Sequence, residues 1–251
     1  MMLKWQRLKI VRVCREERIS IMRYHNITKD DMLNGEGLRV VLWVAGCSHA
    51  CKGCHNKITW NPGGGILFDE AAKQEIFTEL DKDYIDGITF SGGDPMHCAN
   101  EKDVTELCKE IKEKYPDKTI WLYTGYDFEY VEGKEIYKYL DVIVDGEFQI
   151  DLLDANLEWR GSANQAVIHT KDITDGICYF DTFATWTGPN YTKEEAMHKY
   201  HTQYCVNLRD PVVQQYVLDR PTINTYDIYI KLKEEGKILF ERTLAKSYIN
   251  M

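Results

Sequence analysis

The sequence predicts an α/β fold: an open or partial βα barrel followed by a C-terminal α+β extension. Three observations carry this. Short apolar, β-branched runs alternate with amphipathic helical stretches from residue 38 to about residue 148. The glycine-rich and cysteine-rich pieces fall at the C-terminal ends of these runs. The alternation then stops near residue 170. Strand, helix, strand in steady succession means parallel strands with crossover helices. Four such strands are too few to close an eight-stranded barrel.

"LRVVLWVAG" is the first strand of the alternation and leads straight into "CSHACKGCHN". "DEAAKQEIFTELDKD" follows as a helix, with Ala72, Ile76 and Leu80 on one face and acidic residues in its first turn. "IDGITFSGG" is a second strand closed by glycines. "EKDVTELCKEIKEKYP" is a second helix, with Val104, Leu107, Cys108, Ile111 and Tyr115 on one face and Pro116 as its stop. "KTIWLYTGY" is the third strand, "FEYVEGKEIYKYL" a weaker helix broken by Gly133, and "LDVIVDGEF" the fourth strand. Beyond residue 170 the pattern changes. Thr192 and Glu195 form a capping box. Asp210 and Pro211 open a short helix. "YDIYIKLKEEGKILFER" alternates about Gly236 and reads as a hairpin. The domain boundaries are a basic N-terminal extension at 1–22, a main domain at 23–170 and an accessory region at 171–251.

The 251 residues suffice for a full core. The net charge of −9 argues against a general nucleic-acid binder. Residues 1–21 hold six Lys/Arg against two Asp/Glu, leaving 25 basic and 38 acidic residues in the rest. This first segment reads as an extension, or as upstream sequence with Met22 the functional start. No apolar run is long enough for a membrane span, and no signal-peptide pattern is present. The expectation is a cytoplasmic protein.

Eight cysteines in a cytosolic chain of this size do not suggest a disulfide framework. Cys14, Cys98, Cys108, Cys178 and Cys205 are scattered and read as small buried hydrophobes. Cys47, Cys51 and Cys54 cluster as C-x3-C-x2-C. Zinc is one reading, since Cys51-x2-Cys54 is a zinc-knuckle spacing and His49 or His55 could supply a fourth ligand. No second ligand pair follows downstream, however. Three thiolates on one short loop suit a [4Fe–4S] cluster better, with one iron left open for a small molecule. His25, His97, His169, His198 and His201 have no partner that the sequence identifies.

The C-x3-C-x2-C spacing at the end of a βα strand resembles the radical S-adenosylmethionine superfamily. Together with "NGEGLRVVLWVAGCSHACKGCHNKITW", "ITFSGGDP", "IWLYTGY", "VIVDGEF" and "LEWRGSANQ", it resembles the anaerobic (class III) ribonucleotide reductase-activating proteins, from about Tyr24 to about His169. Gly53 and His55 stand where aromatics are usual in the superfamily and in that family.

The resemblance implies that Cys47, Cys51 and Cys54 hold the cluster. It also implies that S-adenosylmethionine meets Gly53, Cys54, His55, Ser91, Gly92, Gly93 and Asp94, with Tyr123 to Tyr126 contributing to the cofactor floor. Arg160, Ser162, Asn164 and Gln165 are late donors toward the cofactor or a partner chain. The implied activity is reductive cleavage of S-adenosylmethionine and hydrogen abstraction from a glycine of the anaerobic reductase's large subunit. A low-potential electron donor such as reduced flavodoxin would serve it, with no nucleic acid or membrane partner. The competing readings are another radical S-adenosylmethionine enzyme, such as a pyruvate formate-lyase-type activase or a deazaguanine-forming enzyme, and a zinc-stabilised binding module.

Overall fold

The computed structural model describes residues 22–172, 177–182, 200–207, 210–217 and 225–245. The chain divides into two compact units, Met1–Asp141 and Val142–Met251. The basic segment before Met22 and the capping box at Thr192 lie outside the described residues.

In the first unit, β2 (Arg39–Val44), β4 (Gly87–Gly92) and β5 (Thr119–Tyr123) run parallel, with Val44 paired to Gly92 and Phe90 to Leu122. Two helices supply the crossovers. α1 (Glu70–Leu80) starts at Asp69, whose side chain accepts from the Ala72 amide at 3.0 Å. It buries Ala72, Ile76 and Leu80, the face expected from spacing by fours. α2 (Glu101–Lys114) buries Val104, Leu107, Cys108 and Ile111. A third helix, α3 (Phe128–Glu132), ends at Gly133 as expected. Val40, Val41, Leu42, Ile88, Phe90, Ile120 and Leu122 are fully buried, so the parallel strands are covered on both faces.

Two strands escaped the periodicity. β1 (Arg23–Asp31) lies antiparallel to β2, and the two-residue β3 (Ile66–Leu67) lies antiparallel to β1. The sheet of this unit is therefore mixed, in the order β3-β1-β2-β4-β5. β1 is rich in polar residues and only Tyr24 and Ile27 of it are buried, so its apolar signal is faint.

At the N-terminal ends of the parallel strands, Arg39 is fully buried. Its Nε donates to Thr89 Oγ1 at 2.8 Å, Nη1 to Glu36 O and Thr119 Oγ1, and Nη2 to Ile88 O and Thr119 O. The guanidinium also sits 5.3 Å from the Trp121 ring centroid. Burial presses its pKa down to about 10. One side chain thus ties β2, β4 and β5 together at the end away from the cysteines.

In the second unit, β6 (Val142–Asp145) and β7 (Ala166–His169) pair antiparallel. β8 (Ile177–Thr182), β9 (Tyr200–Asn207) and β10 (Ile238–Ala245) form a separate antiparallel sheet with β9 in the middle. α4 (Pro211–Val217) begins as expected, with Asp210 Oδ1 accepting from the Val212 amide at 2.8 Å. The expected hairpin at residues 226–242 is corrected. Its first half is a helix, α5 (Thr225–Glu234), and only the second half is a strand. Tyr229 and Leu232, three apart, pack with Tyr204, Val206 and Val213, while Lys231, Lys233 and Glu234 face solvent. The alternation of Ile228, Ile230 and Leu232 mimics a strand, but burial follows the helical period.

No helix among the described residues is long and apolar enough to cross a membrane.

Candidate iron–sulfur site

β2, β4 and β5 all end on the same side of the first unit, and their following turns carry "GCSHACKGC", "GGDP" and "TGY". In parallel α/β folds this edge is where ligands bind. The backbone joins the first two turns directly. The Gly93 amide donates to Val44 O at 2.8 Å, and the Asp94 amide to Gly46 O at 2.7 Å.

The cysteine loop is anchored at its start and curled between. The Gly46 amide donates to Thr59 O and the Cys47 amide to Trp60 O. Ala50 and Gly53 take left-handed backbone conformations, with φ of +54° and +80°. The φ of Gly53 suits a residue without Cβ there. Cys47, Cys51 and Cys54 are all half-buried and none is in a disulfide.

The loop's chemistry fits a metal cluster. Burial pushes the Cys47 thiol up to about 11, and the nearby Asp94 and Cys51 add to this, while the His49 and Ala50 amides pull it back by hydrogen bonding to the sulfur. The Asn56 amide likewise donates to Cys54 Sγ at 3.4 Å. Amide donors aimed at sulfur stabilise thiolates and tune a cluster they hold. Three thiolates presented on one loop can each hold a separate iron of a [4Fe–4S] cluster.

Asp94 is the most heavily used side chain at this edge. It is buried, its Oδ1 accepts from the Met96 amide at 2.8 Å and Thr124 Oγ1 at 2.9 Å, and its Oδ2 accepts from the Gly125 amide at 3.1 Å. His49 Nε2 stands 2.7 Å from the same Oδ2. The His49 ring meets Tyr126 edge-on at 4.6 Å between centroids, and Tyr126 stacks on Tyr130 at 4.2 Å. Burial, helped by the Asp94 and Tyr130 charges, pushes the Tyr126 phenol up to about 12, opposed by a hydrogen bond with Ser48.

Ser91 is buried at the end of β4, Gly92 and Gly93 are half-buried, and His55 is exposed. His49, read from the sequence only as a possible zinc ligand, and Thr124, within the stretch read as cofactor floor, are drawn in by Asp94. The buried His97 sits beside the same turn, its Nδ1 accepting from the Ala99 amide, and burial lowers its pKa.

One expectation is corrected. Cys98, read as a buried thiol, is exposed and disulfide-bonded. The late donors are engaged within their own unit. Arg160 Nη1 donates to Gln165 O at 2.6 Å and Glu241 O at 3.1 Å, Asn164 to Glu147 O and Gln165 to Gly146 O. Gln165 Oε1 accepts from the Gly161 and Ser162 amides, and Ser162 Oγ from the Gln149 amide. These residues brace a loop. Cys108, by contrast, is fully buried as expected.

Comparison with known proteins covers the stretch that holds this edge. A family model described as a 4Fe-4S single cluster domain matches residues 33–168. The anaerobic ribonucleoside-triphosphate reductase-activating protein of Enterobacteria phage T4 is 43% identical over 160 residues, 64% of this chain and 100% of that protein. The proteins of the same name from Haemophilus influenzae and Escherichia coli (strain K12) are 41% identical over 152 residues and 40% identical over 154. These matches cover 59% and 60% of this chain, and 97% and 100% of those proteins. With its cysteine loop, its glycine-rich turn and more than half its length matched, the chain belongs to the anaerobic ribonucleoside-triphosphate reductase-activating protein family, built on a 4Fe-4S single cluster domain.

Proposed function

We propose that this chain is the activating enzyme of an anaerobic ribonucleotide reductase, acting in the cytoplasm through a radical S-adenosylmethionine domain at 23–170. The observation that carries the reading is the loop of three half-buried, unbridged cysteines lashed to the "SGGDP" turn by Gly93–Val44 and Asp94–Gly46 backbone bonds. Cys47, Cys51 and Cys54 would hold the cluster, and the open βα barrel would present it at the strand ends. Bound there, a [4Fe–4S] cluster would supply the electron for reductive cleavage of S-adenosylmethionine, the chemistry that would lead to a glycyl radical on the reductase.

The residues of this chain bind, orient and shield. The backbone of Ser91 to Gly93 would meet the amino-acid end of the cofactor, and Gly53 and His55, which flank the third cysteine, would contact it as well. Tyr126, half-buried, packs edge-on against His49 of the cysteine loop. The electron would come from a low-potential donor such as reduced flavodoxin. The substrate glycine Cα–H is unusually easy to abstract, because the flanking amide nitrogen and carbonyl stabilise the product radical. The region at 171–251 extends beyond the matched relatives and is proposed as an accessory part.

Electron paramagnetic resonance tests this. The reduced protein is mixed anaerobically with S-adenosylmethionine and the reductase large subunit. A glycyl doublet is expected. Cofactor cleavage with no doublet would redirect the proposal to another protein substrate.

A further inference from the structure

His49 stands between Cys47 and Cys51 and reaches Asp94 across the site, Nε2 to Oδ2 at 2.7 Å. We propose that this contact sets the Cys47–Cys54 loop against the ends of β4 and β5, making His49 and Asp94 a positioning pair. The Asp94 carboxylate is then a tie between segments and not a direct ligand of the cofactor's ammonium. This rests on the reading that the three cysteines hold a cluster.

A carboxylate offers about four lone-pair sites. At Asp94 four donors fill them: the Met96 amide, Thr124 Oγ1, the Gly125 amide and His49 Nε2. An ammonium would have to displace one of these from a side chain only 1% exposed. The four donors come from the cysteine loop, the turn after β4 and the end of β5, so one buried group fixes three segments. With Asp94 as the acceptor of the pair, His49 Nε2 is its donor.

The His49 ring is held on two further sides. Its side chain is 10% exposed, and Tyr126 meets it edge-on. A β-carbon on Gly125 would stand 2.6 Å from His49 Cδ2, so the β5 turn closes on the ring. The loop itself contains a strained non-glycine residue, Ala50 at φ +54°, next to His49. Such a conformation persists when the surroundings over-determine it, and the His49–Asp94 contact is one tie beside it.

The test separates hydrogen bonding from packing. His49→Phe keeps a ring against Tyr126 but removes the donor. His49→Gln can place its amide donor near the position of Nε2. Loaded protein is challenged with an iron chelator and cluster loss is followed by visible absorption, with circular dichroism as the check on folding. His49→Phe and Asp94→Asn are each expected to speed iron loss about tenfold or more, the usual scale for residues that orient ligands. His49→Gln should recover most of the retention. The double variant should lose iron no faster than the worse single one, since both break one contact. If His49→Phe retains iron like the wild type while Asp94→Asn weakens S-adenosylmethionine binding alone, Asp94 is a direct ligand and the inference falls. If His49→Phe does not fold, His49→Asn, whose donor stops short of Asp94, replaces it.

Should the wild type take up no cluster, the cysteine reading fails on its own, and the pair is read on the apoprotein. Alkylation of Cys47 and Cys51 by iodoacetamide, resolved by mass spectrometry, should be about tenfold faster in His49→Phe and near wild type in His49→Gln, the same scale of ligand-orienting effect. Equal rates in all three would overturn the inference.

Discussion

Gly93 approaches Gly46 so closely that a β-carbon on Gly93 would stand 2.4 Å from the Gly46 carbonyl oxygen. The contact is with backbone, which cannot swing aside as a side chain would. Gly93→Ala should therefore push the glycine-rich turn off the cysteine loop and break the Asp94–Gly46 bond. The expected cost is about 1–3 kcal/mol of stability, the usual range for overpacking, together with reduced iron content after reconstitution. Thermal unfolding and iron analysis check both. A variant of wild-type stability and full iron content would show that the two turns are not held as described.

The cysteines should separate by place. Cys47→Ala, Cys51→Ala and Cys54→Ala are each expected to abolish reductive S-adenosylmethionine cleavage, measured as 5′-deoxyadenosine. Cys108→Ala, in the buried face of α2, should cost about 1 kcal/mol of stability, a typical value for a core substitution, and leave the cluster intact. Near-normal 5′-deoxyadenosine from any of the first three would remove that residue from the ligand set.

Gly53 makes a test against family habit. Placing the superfamily's usual aromatic there, as Gly53→Tyr, should weaken cluster retention, because φ is +80° and an L-residue pays roughly 1–2 kcal/mol to occupy that region. Chelator-driven bleaching reads this directly. Faster bleaching is expected, and slower bleaching would mean that the loop relaxes on loading.

Arg39 should affect stability without touching the site. Its five hydrogen bonds lie at the opposite end of the strands, and lysine cannot reproduce the planar fork that makes them. Arg39→Lys is expected to cost roughly 3 kcal/mol, the scale of losing hydrogen bonds to a charged group and leaving buried acceptors bare. Denaturant unfolding measures the cost. Cofactor affinity of the folded fraction should stay at the wild-type value.

Arg160 tests whether the "WRGSANQ" loop is a brace. Arg160→Ala removes donors to Gln165 O and Glu241 O. Iron content should not change, while limited proteolysis should cut the second unit faster. A selective loss of cofactor binding in a stably folded variant would instead assign the loop to the site.

The helices and parallel strands were legible because their signals are local. Asp69 and Asp210 cap from within a few residues, and the apolar spacing of Val104, Leu107, Cys108 and Ile111 is itself the face that is buried. The stretch from Tyr226 to Arg242 misled because period-two alternation was counted where burial has period three, at Tyr229 and Leu232. β1 was invisible because its place is given by pairing with β2 and not by its own apolar content.

For the site, the cysteine spacing and the glycine-rich strand ends stood in the sequence, since a loop that presents three thiolates must carry them close together in the chain. What only the tertiary structure decided is which groups share Asp94. Its donors come from residues 49, 96, 124 and 125, separated by up to 76 positions in the chain. Nothing in the spacing of those residues announces it. Parallel pairing of β2, β4 and β5 places their ends side by side, and a buried carboxylate gathers the donors it meets there, because leaving its oxygens bare would cost more than any local preference of the loops.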